Sequence, residues 1–350
     1  MSQEAVGGPP PGWVPHPIDP RSLPPHLRPS IPVEERDYYA FWRAPRYRWW
    51  KGLLAALLAG FGFFVVSVVA AFAGWAIDGV DLSVLLEGRI PPVGPGFFTA
   101  NNVGLALCIP IAMLASWLCV QQRPRWLSSV GGGLRWGWLL ELVGVLAPLW
   151  LVVVGVQTLL GPLDDVRVRD HTGVMVLAIL LTTPLQSAGE EYLVRGLLGR
   201  VVGSWFGHPV VGVVAATVVT AGVFMVLHGA GDPWLNAYYV FFAVAGTWLT
   251  WRTGGLEAAI AMHVVNNVVS MITLPFVDFS DLFNREAGVA DATILIQVAV
   301  VLGGVALVEW RARKRSLTVR SAPGRPALDA LTAPHPFAGG TPGGGAGLVG

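Results

Sequence analysis

Apolar stretches recur along the chain, each bounded by charge, Gly or Pro, at 53–77, 101–120, 137–160, 174–196, 210–230, 234–251, 255–275 and 291–310. Each is close to the roughly 20 apolar residues needed to cross a hydrocarbon core about 30 Å thick. None shows the alternating ten-residue pattern of a barrel strand, and backbone polar groups in lipid must be satisfied within the segment, so the stretches predict helices. The expected fold class is all-α, a polytopic membrane bundle of about eight transmembrane helices over 47–315. The flanks differ. Residues 1–46 hold PPPGWVPHP and LPPHLRP, and residues 316–350 end in AGGTPGGGAGLVG. Without an apolar run, such compositions predict disordered tails. The amino terminus has no basic region followed by an apolar core and a cleavage site, so the first span is expected to serve as the membrane-targeting signal.

Composition sharpens this picture. The 350 residues are 53% hydrophobic and 13% charged, whereas a soluble domain is about 25% charged. Arg and Lys fall in alternate loops: Arg43 to Lys51 before the first span, Arg123 to Arg135 after the second, Arg195 and Arg200 after the fourth, Arg252 after the sixth, and RARKR at 311–315 after the eighth. The positive-inside rule then puts both termini in the cytoplasm, at the cell membrane. A net charge of +1 gives no sign of a nucleic-acid partner, and the basic run after the last span suits anionic headgroups of the bilayer. Arg outnumbers Lys 21 to 2, a bias that points to a GC-rich bacterial genome. Cys108 and Cys119 lie about 16 Å apart by helical rise and cannot bridge one another.

Candidate chemistry lies in ionisable groups inside the apolar spans, where they are costly and rare without a role. In AGEEYLVRG, Glu191 and Arg195 are spaced for an i,i+4 ion pair with the acid on the amino-terminal side. Glu190 points about 100° away and is left unpaired, as a general base for water would be. The alternative is that both glutamates snorkel into headgroups at the cytoplasmic boundary. FMVLHG places Phe224 and His228 four apart near the end of the fifth span. HVVNN places His263 and Asn267 on one face of the seventh, with Asn266 pointing elsewhere. A single intramembrane His is often only hydrogen-bonded to a neighbouring helix, but two of them with an unpaired Glu form a set. Glu190, His228 and His263 match a ligand set for catalytic zinc with an open position for water. Equally, Glu190 and one His can activate water without metal while the other His and Asn267 donate to the oxyanion. No HExxH, G-x-S-x-G or nucleophilic Cys-His pattern is present. Arg252, in WRTGGLE, reads as a topology determinant.

EEYLVR, FMVLH and HVVNN, in that order, resemble the EExxxR, FxxxH and HxxxN motifs of the CAAX prenyl protease and bacteriocin-processing family (CPBP, or Abi), type II CAAX endopeptidase-like, over residues 172–275. The resemblance implies an eight-helix intramembrane endopeptidase whose cavity opens toward the cytoplasm. Glu190 with His228 would activate water, His263 with Asn267 would support the transition state, and Glu191, Arg195 and Phe224 would be accessory. Eukaryotic relatives trim prenylated CAAX proteins, whereas bacterial ones are linked to peptide maturation, bacteriocin self-immunity and phage defence. The implied partner is a membrane-associated peptide or protein substrate, and its identity does not carry over.

Two competing functions remain at this stage, a proton-coupled transporter and a non-catalytic membrane scaffold or immunity protein. A straight-helix picture also separates the candidates, since Glu190 and His263 fall about a third of the way in from the cytoplasmic side while His228 lies near the far end of its span. The site closes only if the fifth span is shifted, tilted or broken near Gly229–Pro233.

Overall fold

The computed structural model describes residues 19–88, 91–161, 166–277 and 285–332. Eight helical rods follow one another: α1 (Trp49–Ile77), α2 (Pro95–Ala106) continued by α3 (Cys108–Val120), α4 (Trp136–Leu160), α5 (Thr172–Glu191) continued by a π-helical segment (Tyr192–Leu198) and α6 (Gly199–Gly203), α7 (Pro209–His228), α8 (Pro233–Thr253), α9 (Glu257–Met271) and α10 (Ile294–Arg313). A short α11 (Arg325–Thr332) follows. Among the described residues there are only isolated bridges and no strand. The all-α class is as expected, and seven of the eight rods are long and apolar enough to cross a membrane. The protein is a multi-pass membrane protein.

The exception is α8. Asn236, Tyr238, Tyr239, Thr247 and Thr250 lower its hydropathy, and it packs against α7, α9 and α10. A helix enclosed by neighbours tolerates polar side chains that face the bundle interior. By contrast α1 turns Leu57, Phe61, Phe64 and Val69 outward, the surface expected toward lipid.

Sequence explains the ends of the central rods. Asp232 caps α8 by accepting the N–H groups of Trp234 and Leu235, with Pro233 in the first helical turn, a position where its missing N–H costs nothing. α7 stops at Gly229, whose φ of 60° closes the helix in the left-handed region, where a Cβ would be strained. At Gly189, α5 crosses α2 so closely that an added Cβ would lie 2.0 Å from the Leu105 carbonyl oxygen.

Two expectations are corrected here. The fourth span does not end at 196 but continues through the π-helical segment to Gly203. Arg195 and Arg200 are therefore buried within the rod, not in a basic loop. The Arg200 guanidinium lies 4.0 Å from the centre of the Tyr38 ring and 4.8 Å from that of Phe41. Aromatic faces stabilise a desolvated cation, and that lets the arginine remain where a bare charge would be costly.

Second, the tails are not wholly disordered. Tyr38, Tyr39, Phe41 and Trp42 are buried, the Tyr38 hydroxyl donates to the Leu127 carbonyl at 2.5 Å and that of Tyr39 to the Thr247 carbonyl at 3.3 Å. Burial pushes the Tyr38 hydroxyl well above the ordinary tyrosine range, so it stays a donor. Arg36 and Ser321 exchange two backbone hydrogen bonds, Gly324 donates to the Pro32 carbonyl, and Leu328 of α11 is buried. The cluster DYYAFW supplies large aromatic areas that outweigh the ordering entropy of a Pro-rich surrounding. Residues 1–18 and 333–350, with PPPGWVPHP and AGGTPGGGAGLVG, lie outside the described residues.

Candidate active site

Glu190, His228, His263 and Asn267 all line one cavity of about 360 Å³, enclosed by α1, α2, α5, α7, α8 and α9. The depth problem is resolved mainly by the fourth span. Because the rod runs on to Gly203, Glu190 is thirteen residues from its end instead of six from a boundary at 196, about 10 Å deeper by helical rise. The π-helical segment just after it breaks the regular repeat, as such segments often do at functional sites. α7 is regular up to His228 and breaks at Gly229, within the stretch where a break was required.

Glu191 is the hub. Its Oε1 accepts from Arg195 Nη1 at 3.0 Å and lies 2.7 Å from His263 Nδ1, with all three side chains at most 3% exposed. The predicted ion pair is present, and Glu191 also fixes the imidazole. With Nδ1 occupied, His263 presents Nε2 to the cavity, 3.6 Å from Glu190 Oε2. That oxygen is buried and has no hydrogen-bond partner, while Oε1 accepts from Gln186 Nε2 at 2.5 Å. His228 repeats the pattern: Nδ1 meets the Phe224 carbonyl at 2.7 Å, and its ring lies between Phe224 and Tyr239, with centroids 4.3 and 4.1 Å away. Phe224 also lies under the Arg195 guanidinium at 4.2 Å, which links the second motif to the first.

Asn267 Nδ2 makes long contacts to Gln186 Oε1 and Ser187 Oγ at 3.4 and 3.3 Å. Asn266 was expected to point elsewhere, yet it lines the same cavity, its Oδ1 accepting from Tyr238 at 3.0 Å and from Trp150 Nε1 at 3.2 Å. Bonds from two further helices draw it inward. Gln186, Tyr238, Tyr239, Phe242 and Arg285 belong to the lining too, and sequence reading missed them. The i−4 spacing of Gln186 from Glu190 was available as a signal, whereas the uncharged aromatic residues of α8 carry no mark in the sequence that separates them from lipid-facing ones. Arg252, read as a topology marker, also pairs with Glu309 at 2.9 Å.

The chemistry of the donors suits a metal, because both imidazoles line the cavity with Nδ1 engaged, which leaves Nε2 as the open nitrogen of each. Their placement does not: among the described residues, no three His, Cys, Asp or Glu side chains gather closely enough to hold an ion.

Residues 172–269 match the family model described as type II CAAX prenyl endopeptidase Rce1-like. This segment resembles the Rce1-like endopeptidases. The match agrees with the resemblance read from EEYLVR, FMVLH and HVVNN, and at the family level it is to intramembrane CAAX-type endopeptidases. Among curated proteins, the chain is 28% identical over 153 residues to "Uncharacterized protein YyaK" of Bacillus subtilis (strain 168), covering 40% of this chain and 49% of that protein. The chain thus spans about half the length of the curated relative it matches. No solved structure matches.

Proposed function

We propose that the protein is an intramembrane endopeptidase that hydrolyses a peptide bond of a membrane-associated protein or peptide with water activated by Glu190. The observation that supports this most directly is the buried, unpartnered Oε2 of Glu190, 3.6 Å from an imidazole nitrogen across a cavity that His228 also lines. A carboxylate oxygen left without a donor in such a place has the position to accept a proton from water.

Water beside Oε2 loses a proton to Glu190 as its oxygen bonds to the scissile carbonyl carbon. The resulting oxyanion is stabilised by Asn267 Nδ2, whose 3.3–3.4 Å contacts are long enough for an arriving oxyanion to displace, and by the Nε2–H of a His263 imidazolium whose Nδ1–H is held by the Glu191 carboxylate. Collapse breaks the C–N bond, and Glu190 returns the proton to the leaving amine. Glu191 acts through His263 and Arg195 and does not touch the reacting atoms. His228 shares with Glu190 the task of orienting the water. No step here runs through a metal. In this reading both termini face the cytoplasm of a bacterial cell.

The test is cleavage of a panel of quenched-fluorescent peptides by the full chain in proteoliposomes, with wild type, Glu190→Ala, His228→Ala and His263→Ala at matched amounts. Loss of about 10²-fold or more in each variant is expected for groups acting in proton transfer. Activity surviving all three would leave the scaffold or transporter reading. Loss on chelation with recovery on adding zinc would bring back the zinc set of Glu190, His228 and His263, which the free Nε2 atoms favour chemically.

A further inference from the structure

From Glu190 the cavity runs toward one end of the rods. There it is lined by Asn101 and Asn102 in the second turn of α2, His228 as the last residue of α7, Tyr239 in the second turn of α8 and Met271 as the last residue of α9. The lining is only partly covered on this side, with Asn101 half-buried and Leu227 50% exposed.

The opposite end is filled. Tyr192, Arg195, Leu197 and Arg200 are buried beyond Glu190, and α9 is buried from Glu257 to His263. The connections at this end bond to one another over them. Glu257 pairs with Arg135 at 2.6 Å, Leu256 donates to the Ser128 carbonyl at 2.9 Å, and Ser128 Oγ meets the Tyr192 hydroxyl at 2.6 Å. Val130 donates to the Gly254 carbonyl at 2.9 Å, and its own carbonyl accepts from Ser321 Oγ at 2.6 Å. With Tyr38 and Trp42 also buried there, Glu190 lies thirteen residues of rod from this end, about 20 Å by helical rise. A polypeptide arriving from this side would have to break the Glu257 pair and unseat buried aromatic rings, whereas from the cavity end it displaces neither.

Charge tells the two ends apart. Arg46, Arg48 and Lys51 at the start of α1, Arg123 and Arg125 after α3, and Arg311, Arg313, Lys314 and Arg315 around the end of α10 belong to the filled end. Among the described residues the loops of the cavity end carry Arg167, Arg169 and Arg285. Basic residues stay on the cytoplasmic side, so the filled end faces the cytoplasm. We infer that the site is served from the outer face of the membrane, and that its substrate is the outward part of an exported or membrane-anchored polypeptide. This is the reverse of the cytoplasmic opening that the motif resemblance implies, and for the substrate it rests on the endopeptidase reading.

Two measurements separate the opening from the chemistry. In full-length protein carrying Cys108→Ala and Cys119→Ala, the single changes Asn101→Cys and Met271→Cys probe the cavity, while Ser83→Cys and Ser316→Cys probe exposed positions beyond α1 and α10. Cells holding each protein at wild-type amount in the membrane are treated with a membrane-impermeant maleimide before and after permeabilisation. Ser83→Cys and both cavity positions should label in intact cells, and Ser316→Cys only after permeabilisation. Cavity positions that stay unlabelled where Ser83→Cys labels would overturn the inference, and so would Ser316→Cys labelled from outside. Cleavage is then compared in right-side-out and inverted membrane vesicles of the same cells, using quenched-fluorescent peptides tagged with three Asp, and Glu190→Ala vesicles as the blank. Right-side-out vesicles should cleave faster by about tenfold or more, because a sealed bilayer excludes the charged tag, and detergent should abolish the difference. Equal rates in the two sealed preparations, or faster cleavage by inverted vesicles, would overturn the inference. Cavity cysteines labelled from outside without cleavage in vesicles or detergent would sink the endopeptidase reading and leave the outward opening standing.

Discussion

Glu191→Ala tests how the site is held together. Glu191 faces Arg195 at 3.0 Å and His263 at 2.7 Å, and none of the three is more than 3% exposed. Removing the carboxylate leaves a buried guanidinium whose Nε and Nη2 already lack hydrogen-bond partners. An uncompensated buried charge costs about 3–5 kcal/mol. The Phe224 ring at 4.2 Å offsets about 2 kcal/mol at most, so a net loss of roughly 2–4 kcal/mol is expected. Arg195→Met alone should cost less, because Glu191 keeps His263. The double variant Glu191→Ala/Arg195→Met removes both charges and should be more stable than Glu191→Ala alone. Equilibrium unfolding in mixed dodecyl maltoside and SDS measures all four corners of the cycle. A coupling of about 2 kcal/mol or more is expected, well above the 0.3–0.5 kcal/mol scatter of independent sites. Single losses that simply add would refute the ion-pair hub. Turnover should fall by about 10- to 100-fold in folded Glu191→Ala, as for other partners that orient a functional His.

Three further outcomes follow from other parts of the structure. Gly189→Ala places a Cβ 2.0 Å from the Leu105 carbonyl oxygen, so overpacking should cost about 1–3 kcal/mol and lower activity by displacing Glu190; an unchanged melting temperature would count against the α2–α5 approach. Tyr38→Ala should lose about 3–5 kcal/mol as a buried aromatic, and Tyr38→Phe about 1 kcal/mol for the bond to Leu127, in thermal unfolding of the detergent-solubilised protein; a neutral Tyr38→Ala would mean that the amino-terminal segment is not part of the bundle. At Asp232, burial opposes the charge, yet four backbone N–H groups hold the carboxyl below the ordinary aspartate range. A depressed value contributes stability that is present above the unfolded value near 3.9 and is lost as the pH falls below it. Melting temperature should therefore drop on acidification below about pH 4, and Asp232→Asn should flatten that drop; parallel curves for the two proteins would contradict it.

The rods were legible because lipid makes length and hydropathy nearly sufficient, and the three motifs led to the cavity because ionisable groups stand out against apolar neighbours. Other features left no such trace. The continuation of α5 to Gly203 was hidden by Arg195 and Arg200, which look like loop charges until Phe224, Tyr38 and Phe41 are seen to cover them. The amino-terminal segment was read by its prolines, although DYYAFW held the information. Asn266 was assigned by helical angle alone, and its inward turn depends on Tyr238 and Trp150 from other helices. Arg285 lies in a polar stretch between spans, where bonds to Gly231, Asp232 and the His228 carbonyl bring it to the site.

The rod that hydropathy undercounts and the residues that sequence reading missed have one physical origin. α8 falls short of the others in apolar character because it presents Tyr238 and Tyr239 to the cavity and carries Asn236, Thr247 and Thr250 besides. The two spans with the motif glutamates and His263 are the next least apolar, and they are also the most enclosed, with half and 44% of their apolar windows buried against 17–33% for the rest. Polar chemistry in a bilayer has to be surrounded by protein, so three of the helices that contribute it look least like membrane spans, while α7 stays strongly apolar and carries His228 only as its last residue. Low hydropathy within an otherwise apolar bundle therefore points toward the site. By the same argument, substitutions among Leu57, Phe61, Phe64 and Val69 of α1, all exposed, should leave turnover unchanged as long as the replacement is apolar, whereas Tyr239→Ala, which removes a ring packed 4.1 Å from that of His228, should not.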